Sequence, residues 1–320
     1  MPTASDLGVH AGRYNGGSFK ARNGGRGSAP PEPGCIKMID AGRKLVVTQC
    51  EGMVGGEVLS LLHSIHLGPR CIWVTLVGEN MNDRKQLLGG DSELSSDGVA
   101  YARAVKEHVL EREASADMRV DDSPPPKAMV LTGTLRRNVQ MARLLCDADA
   151  PGGDPPVEGQ AGDGGEPRLT MQLHRLNELC AGSLDALTYD QIKTQFPAEF
   201  EARSTDKLNY RYPGPGGESY MDLIMRLQPV ILMLEQTRGN VLVACDRAAC
   251  RVLLAYFEGV SDEDLPYMQV EPGIIELRRS HSGFSRIHTP ITCGATTTQA
   301  GPGTHRSFPS LPEAAGSAGA

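Results

Sequence analysis

The 320-residue chain contains no C-x-x-C pair; its eight cysteines are scattered at 35, 50, 71, 146, 180, 245, 250 and 293. That spacing gives little support to a zinc site or a disulfide framework, so reduced thiols and no metal are expected. There is no excess of positive charge either. Lys and Arg total 32 against 39 Asp and Glu, a formal charge of −7, which argues against a nucleic-acid partner. No apolar run approaches the roughly 20 residues of a membrane helix; LQPVILML at 227–234 is core-sized. The N-terminus lacks the hydrophobic centre of a secretory signal. No G-x-x-x-x-G-K-[ST] loop is present, and no G-x-G-x-x-G follows a strand. GGDS at 89–92 is too short to cradle a triphosphate and reads as a turn. A cytoplasmic protein is expected, with no membrane partner, no cofactor and no kinase chemistry of its own.

Three segments bury too little apolar surface to offset the entropy of ordering them. Residues 1–34 form a basic Gly/Ser/Pro-rich tail, with Arg13, Lys20, Arg22 and Arg26 nearly unopposed by acid. Residues 147–168 carry six acids, six glycines and four prolines, and read as a disordered acidic insertion. Residues 294–320 are mostly Gly, Ala, Thr and Pro and read as a disordered tail. What remains suits one α/β body.

Within that body, short β-branched runs alternate with amphipathic stretches. CIWVTLV (71–77), AMVLT (128–132), NVLVAC (240–245) and GIIEL (273–277) read as buried strands. A helix is predicted from Ser219, where Ser219 and Asp222 form an S-x-x-D cap. Leu223, Leu227, Val230, Ile231 and Leu234 line one face of it, and Pro229 is expected to bend it. RAACRVLLAYF (247–257) follows a strand directly, as a strand-turn-helix unit. Such alternation implies an α/β sheet flanked by helices, with ligands at the carboxyl ends of the strands.

The stretch 178–231, beginning ELCAGSLDALTYDQIK, followed by NVLVACDRAACRVLLAYF (240–257) and LPY (265–267), resembles the phosphatase half of the 6-phosphofructo-2-kinase/fructose-2,6-bisphosphatase family. That half is a member of the histidine phosphatase, phosphoglycerate-mutase-like superfamily. The resemblance runs from about Cys35 to about Ile291 and implies a mixed, mostly parallel sheet flanked by helices over 71–293. Residues 35–70 are similar to the end of the kinase half and its linker. The bulk of the kinase half has no counterpart here, so any kinase is expected as a separate partner.

The resemblance also implies a chemistry. In the family, a histidine in an R-H-G-E motif after the first phosphatase strand attacks phosphorus, a neutral imidazole being a good nucleophile near pH 7. A second histidine in a C-H-Q segment and two arginines neutralise the phosphoryl oxygens, and a glutamic acid protonates the leaving oxygen. Here the first motif reads LVGE (76–79), so Leu76 replaces the arginine and Val77 the nucleophile. The second reads CDR (245–247), which puts Asp246 at the second histidine. Gap-free counting sets Asp83 at a phosphate-contacting asparagine, and a one-residue slip would give Asn82. Arg137 matches the second phosphoryl arginine and Glu178 the general acid. Of the eight histidines, only His174, four residues before Glu178, is a candidate for the pocket. Cys245 is expected to lie inside a buried strand, where thiols are inert. Asp246 could form an acyl phosphate in principle, but it would set a carboxylate against a phosphate dianion. Like charges ~4 Å apart repel by about 4 kcal/mol at an effective dielectric near 20.

The sugar-phosphate side matches in type. Tyr189, Arg203, Lys207, Tyr220 and Arg251 stand at the family's 6-phosphate positions, and Arg247 replaces a glutamine, adding a positive charge. Such donors suit a terminal phosphate. Arg247 and its neighbour Asp246 are expected to pair and partly mask each other. Three functions remain open: a pseudophosphatase that binds fructose 6-phosphate or fructose 2,6-bisphosphate, an active fructose-2,6-bisphosphatase with another nucleophile, and a structural remnant that contacts partners through 147–168.

Overall fold

The computed structural model describes residues 35–39, 44–48, 52–65, 70–115, 127–146, 168–280 and 283–291. The expectations for 1–34, 147–167 and 294–320 fall outside the described residues. The first described elements are an antiparallel ribbon of β1 (Cys35–Ile39) and β2 (Lys44–Thr48), with Cys35 opposite Thr48, and then α1 (Met53–Ser64). The main body runs β3 (Cys71–Leu76), the short α2 (Met81–Arg84), α3 (Ser96–Ala114), β4 (Met129–Thr132), α4 (Arg136–Leu145) and β5 (Thr170–Gln172). It continues through α5 (Tyr189–Gln195), α6 (Pro197–Thr205), α7 (Tyr220–Gln236), β6 (Val241–Cys245), α8 (Arg247–Glu258), β7 (Ile274–Ser280) and β8 (Gly283–Thr289).

Six of these strands form one mixed sheet in the order β5-β4-β6-β3-β7-β8. The first four are parallel to one another, while β7 and β8 pair antiparallel at the other end. Side chains alternate across the central strands as period-two geometry demands. Ile72, Val74 and Leu76 of β3, with Val241, Val243 and Cys245 of β6, pack under α7 and α8. Cys71 and Trp73, with Leu242 and Ala244, pack on the opposite face against α3 and α4. Both faces are covered, which is why these strands read as continuous apolar runs. Each fully buried Leu or Val contributes roughly 1.5–3 kcal/mol relative to exposure.

The predicted helix over the Ser219 region is α7. The Ser219 hydroxyl accepts from Asp222 N at 3.1 Å, and the Asp222 carboxylate accepts from Ser219 N at 2.8 Å. Its buried face includes Leu223, Leu227, Val230, Ile231 and Leu234, and the helix continues through Pro229. Helix α8 stops at Gly259, whose φ of 69° is the left-handed C-terminal cap that glycine adopts without penalty.

Arg168 corrects one boundary. Composition assigns it to the insertion, yet it is buried and donates both guanidinium arms to Glu113, at 2.7 and 2.9 Å. Glu113 also accepts from Ala128 N at 2.7 Å. The end of α3, the approach to β4 and the approach to β5 are thereby tied together. The partner lies 55 positions away, beyond the reach of a local composition window.

The order β4-β6-β3 means that the chain passes from β3 to β4 over the place later taken by β6. The carboxyl ends of these three parallel strands therefore open onto one crevice, where α/β sheets bind ligands.

Candidate functional site

Asp246 follows β6 as the N-cap residue of α8, and its side chain makes no capping bond. Instead, Oδ1 accepts from Arg137 Nε at 2.6 Å. Arg137 comes from the first turn of α4, and its Nη1 donates to the Gly90 carbonyl at 2.8 Å. The side chains of Arg137 and Asp246 are 3% and 9% exposed. Burial opposes the Arg137 charge, but Asp246, then Glu178 and Asp83, more than offset it and raise its pKa. The turn at GGDS presents the Gly90 carbonyl because Gly89 and Gly90 both take positive φ, 61° and 77°. Asn82 donates to the Gly89 carbonyl at 3.0 Å, whereas Asp83 turns back to Asn80 in a capping box. Between those two alternatives, Asn82 is the side chain bonded to the loop that holds Arg137.

Glu178 stands beside this pair. Its carboxylate accepts from Leu179 N at 2.9 Å and from Ala248 N, in the first turn of α8, at 3.2 Å. Burial, and after it the Asp246 charge, lift its pKa to about 7 against the pull of the Leu179 N–H, Arg137 and Arg251. A carboxyl so placed is substantially protonated at neutral pH, as a proton donor must be. Leu76 lies in the core under α7 and α8, while Val77 is half-buried and packs towards the other face. The Val77 N–H donates to the Cys245 carbonyl at 3.0 Å.

The cations gather at the other end of the crevice. Arg247 and Arg251 are one turn apart on α8 and share a face. Arg251 donates from Nε to the Met268 carbonyl at 2.8 Å and from Nη1 to the Tyr220 hydroxyl at 2.9 Å. Arg247 Nη1 reaches the Val270 carbonyl at 2.6 Å, and Lys207 Nζ the Pro266 carbonyl at 2.6 Å. Lys207 also lies 5.9 Å from the Tyr220 ring centre and 5.0 Å from that of Tyr267. Arg203 donates to the Tyr212 hydroxyl at 2.6 Å and lies 5.9 Å from the Tyr189 ring centre. Burial, with Arg251 and Arg203 nearby, lowers the Lys207 pKa to about 7. Burial and then Arg251 lower that of Arg247. Packed cations that depress one another favour an anion among them.

The expected pairing of Arg247 with Asp246 does not form. Asp246 turns to Arg137, and Arg247 turns to Val270. Adjacent residues at a helix start point in different directions, so sequence neighbours need not meet. His174 is exposed, with its carbonyl accepting from Arg226 at 3.2 Å. Cys245 is fully buried, 3.3 Å from the Cys250 sulfur, and that contact, followed by burial, pushes its thiol pKa well up.

Residues 165–288 match the model of the histidine phosphatase superfamily, branch 1. The chain is 37% identical over 234 residues to human 6-phosphofructo-2-kinase/fructose-2,6-bisphosphatase 3, covering 73% of this chain and 38% of that protein. It is 34% identical over 236 residues to 6-phosphofructo-2-kinase 1 of Saccharomyces cerevisiae, covering 71% and 26%. The chain has the histidine phosphatase fold, and its residues 165–288 are those that match the superfamily. It spans well under half the length of these two relatives. Its fold is shared with the alpha-ribazole phosphatase of Shigella flexneri, at a TM-score of 0.52 and 16% identity over 69% of this chain and 96% of that one.

In this histidine phosphatase domain, sequence reasoning missed Tyr212, Tyr267 and the carbonyls of Pro266, Met268 and Val270. The two tyrosines belong to YRY (210–212) and LPY (265–267), aromatic signals present in the sequence. Backbone acceptors carry no residue signature at all. Among the described residues, no helix is long and apolar enough to cross a membrane.

Proposed function

We propose that this fructose-2,6-bisphosphatase-like domain is a pseudophosphatase that binds a sugar monophosphate such as fructose 6-phosphate, in the cytoplasm and within fructose 2,6-bisphosphate metabolism. The observation that carries the reading is the Arg137–Asp246 bond, which occupies the phosphoryl arginine with an internal carboxylate. Val77, at the position of the nucleophile, offers no lone pair. Arg203, Lys207 and Arg251 still gather around Tyr220, with Arg247 one turn before Arg251 on α8, a concentration of positive charge that favours one phosphate-sized anion. Residues 35–70 are, on this reading, the counterpart of the kinase end and linker.

Purified protein is expected to release no phosphate from fructose 2,6-bisphosphate above a Glu178→Ala control. Fructose 6-phosphate is expected to raise the melting temperature, as any ligand of the native state alone must. Calorimetry should show the monophosphate binding at least as tightly as the bisphosphate, and Arg251→Ala should abolish both. Phosphoenzyme formation, or a clear preference for the bisphosphate, would sink the proposal.

Lys207 adds a pH signature. With its pKa lowered to about 7 in the free protein, it loses its proton as the pH rises, whereas a bound phosphate dianion would hold it charged. The ligand's second ionisation lies near pH 6, below which the dianion is lost. Affinity is therefore expected to be greatest between about pH 6 and 7 and to fall up to about tenfold per unit above that. Lys207→Arg should flatten the alkaline limb. Titrations from pH 6 to 9 at fixed salt read this directly, and a flat wild-type profile would remove Lys207 from the site.

A further inference from the structure

We infer that the crevice is built for a zwitterionic ligand, a sugar phosphate that also carries an ammonium group, with the phosphate among Arg203, Lys207 and Arg251 and the ammonium at Asp246. The inference rests on the sugar-phosphate reading above and specifies its ligand class. Its basis is the second carboxylate oxygen of Asp246. Oδ1 is taken by Arg137, but Oδ2 is buried and accepts from no donor. The side chain is only 9% exposed, so bulk solvent does not serve it. A buried carboxylate oxygen normally has a partner, and one without is unusual in a native fold.

Two donors beside it are committed elsewhere: Arg137 Nη1 is directed to Gly90, and Ala248 N, in the first turn of α8, is given to Glu178. Asp246 bonds through its backbone carbonyl to Cys250 N, as a normal first helical turn requires, which leaves Oδ2 aside. Glu178 bonds to α8 two residues after Asp246, and its charge is also felt by Tyr220 at the cationic end. It therefore lies within electrostatic reach of both groups of charges. One end is rich in carboxyl groups around a single arginine, and the other holds four cations and Tyr220. A bisphosphate sets a dianion against Asp246, and a neutral sugar offers it only a hydroxyl. An ammonium gives Oδ2 a charge-assisted bond, the strongest donor available to it.

Calorimetric titration with glucosamine 6-phosphate and glucose 6-phosphate tests this, because the two differ by an ammonium in place of one hydroxyl. At neutral pH and equal salt, the amino sugar is expected to bind about tenfold more tightly, the scale of one charge-assisted bond. Asp246→Asn should bring the ratio of the two affinities to about one. Equal affinities in the wild type, tighter binding of glucose 6-phosphate, or a preference that survives Asp246→Asn would overturn the inference and leave the sugar-phosphate reading standing. Failure of both sugars to bind would overturn the two together.

Discussion

Replacing Leu76 with Arg, Val77 with His and Asp246 with His together is expected to create phosphatase activity on fructose 2,6-bisphosphate, about 10³-fold or more above the wild-type background. The parts that remain make this plausible on physical grounds. Glu178 has its pKa lifted to about 7 first by burial, which the three replacements leave in place, and then by the Asp246 charge, which they remove. It therefore starts from what a general acid needs at neutral pH and is expected to move down from there. Arg137 is already buried at the crevice and charged, and removal of Asp246 frees its Nε for a phosphoryl oxygen. Val77→His supplies the nucleophile at the mouth of β3. The single change Val77→His should do far less, because Asp246 would still hold Arg137 and repel the phosphate, and groups acting as a unit do not contribute additively. Leu76→Arg carries a structural cost, since Leu76 is 7% exposed and packs with Ile72 and Val74 under α7 and α8. The double variant Val77→His, Asp246→His keeps that core intact and should show intermediate turnover. Phosphate release and an acid-labile phosphohistidine are the measurements. A folded double variant with neither would mean that the crevice geometry, and not the lost histidines, disables the site.

The elements legible in the sequence were those whose signal is local. The strands at 71–76, 129–132, 241–245 and 274–280 lie within or beside apolar runs, and the cap of α7 was written as Ser219 and Asp222. The three-residue β5 was not legible, because it directly follows a Gly/Pro/acid stretch and owes its pairing to β4. Neither was β8, whose polar alternation suits an edge strand held by seven pairings with β7. The resemblance placed Asp246 and Arg137 in the same pocket but could not show that they bond across 109 positions. Lys207, Arg247 and Arg251 each bond a main-chain carbonyl, which the path of the chain supplies and side-chain identity does not encode.

Arg137→Ala is expected to lower stability by about 3–5 kcal/mol, the usual cost of leaving one member of a buried ion pair uncompensated. For a body of this size that is roughly 6–20 °C in melting temperature. The cost falls on Asp246, which would stay buried beside Glu178 with neither carboxylate oxygen bonded to a donor. Asp246→Asn should cost less than Arg137→Ala, since an amide oxygen can still accept from Arg137. The double variant Arg137→Met, Asp246→Leu should return close to wild-type stability, because apolar replacement of both partners removes the desolvation penalty along with the attraction. Urea unfolding of the four proteins at pH 7 separates these cases. If Arg137→Ala costs under about 1 kcal/mol, the pair behaves as an exposed one. Arg137 would then be free to meet a phosphate, and the reading of a closed phosphoryl compartment would fail with it.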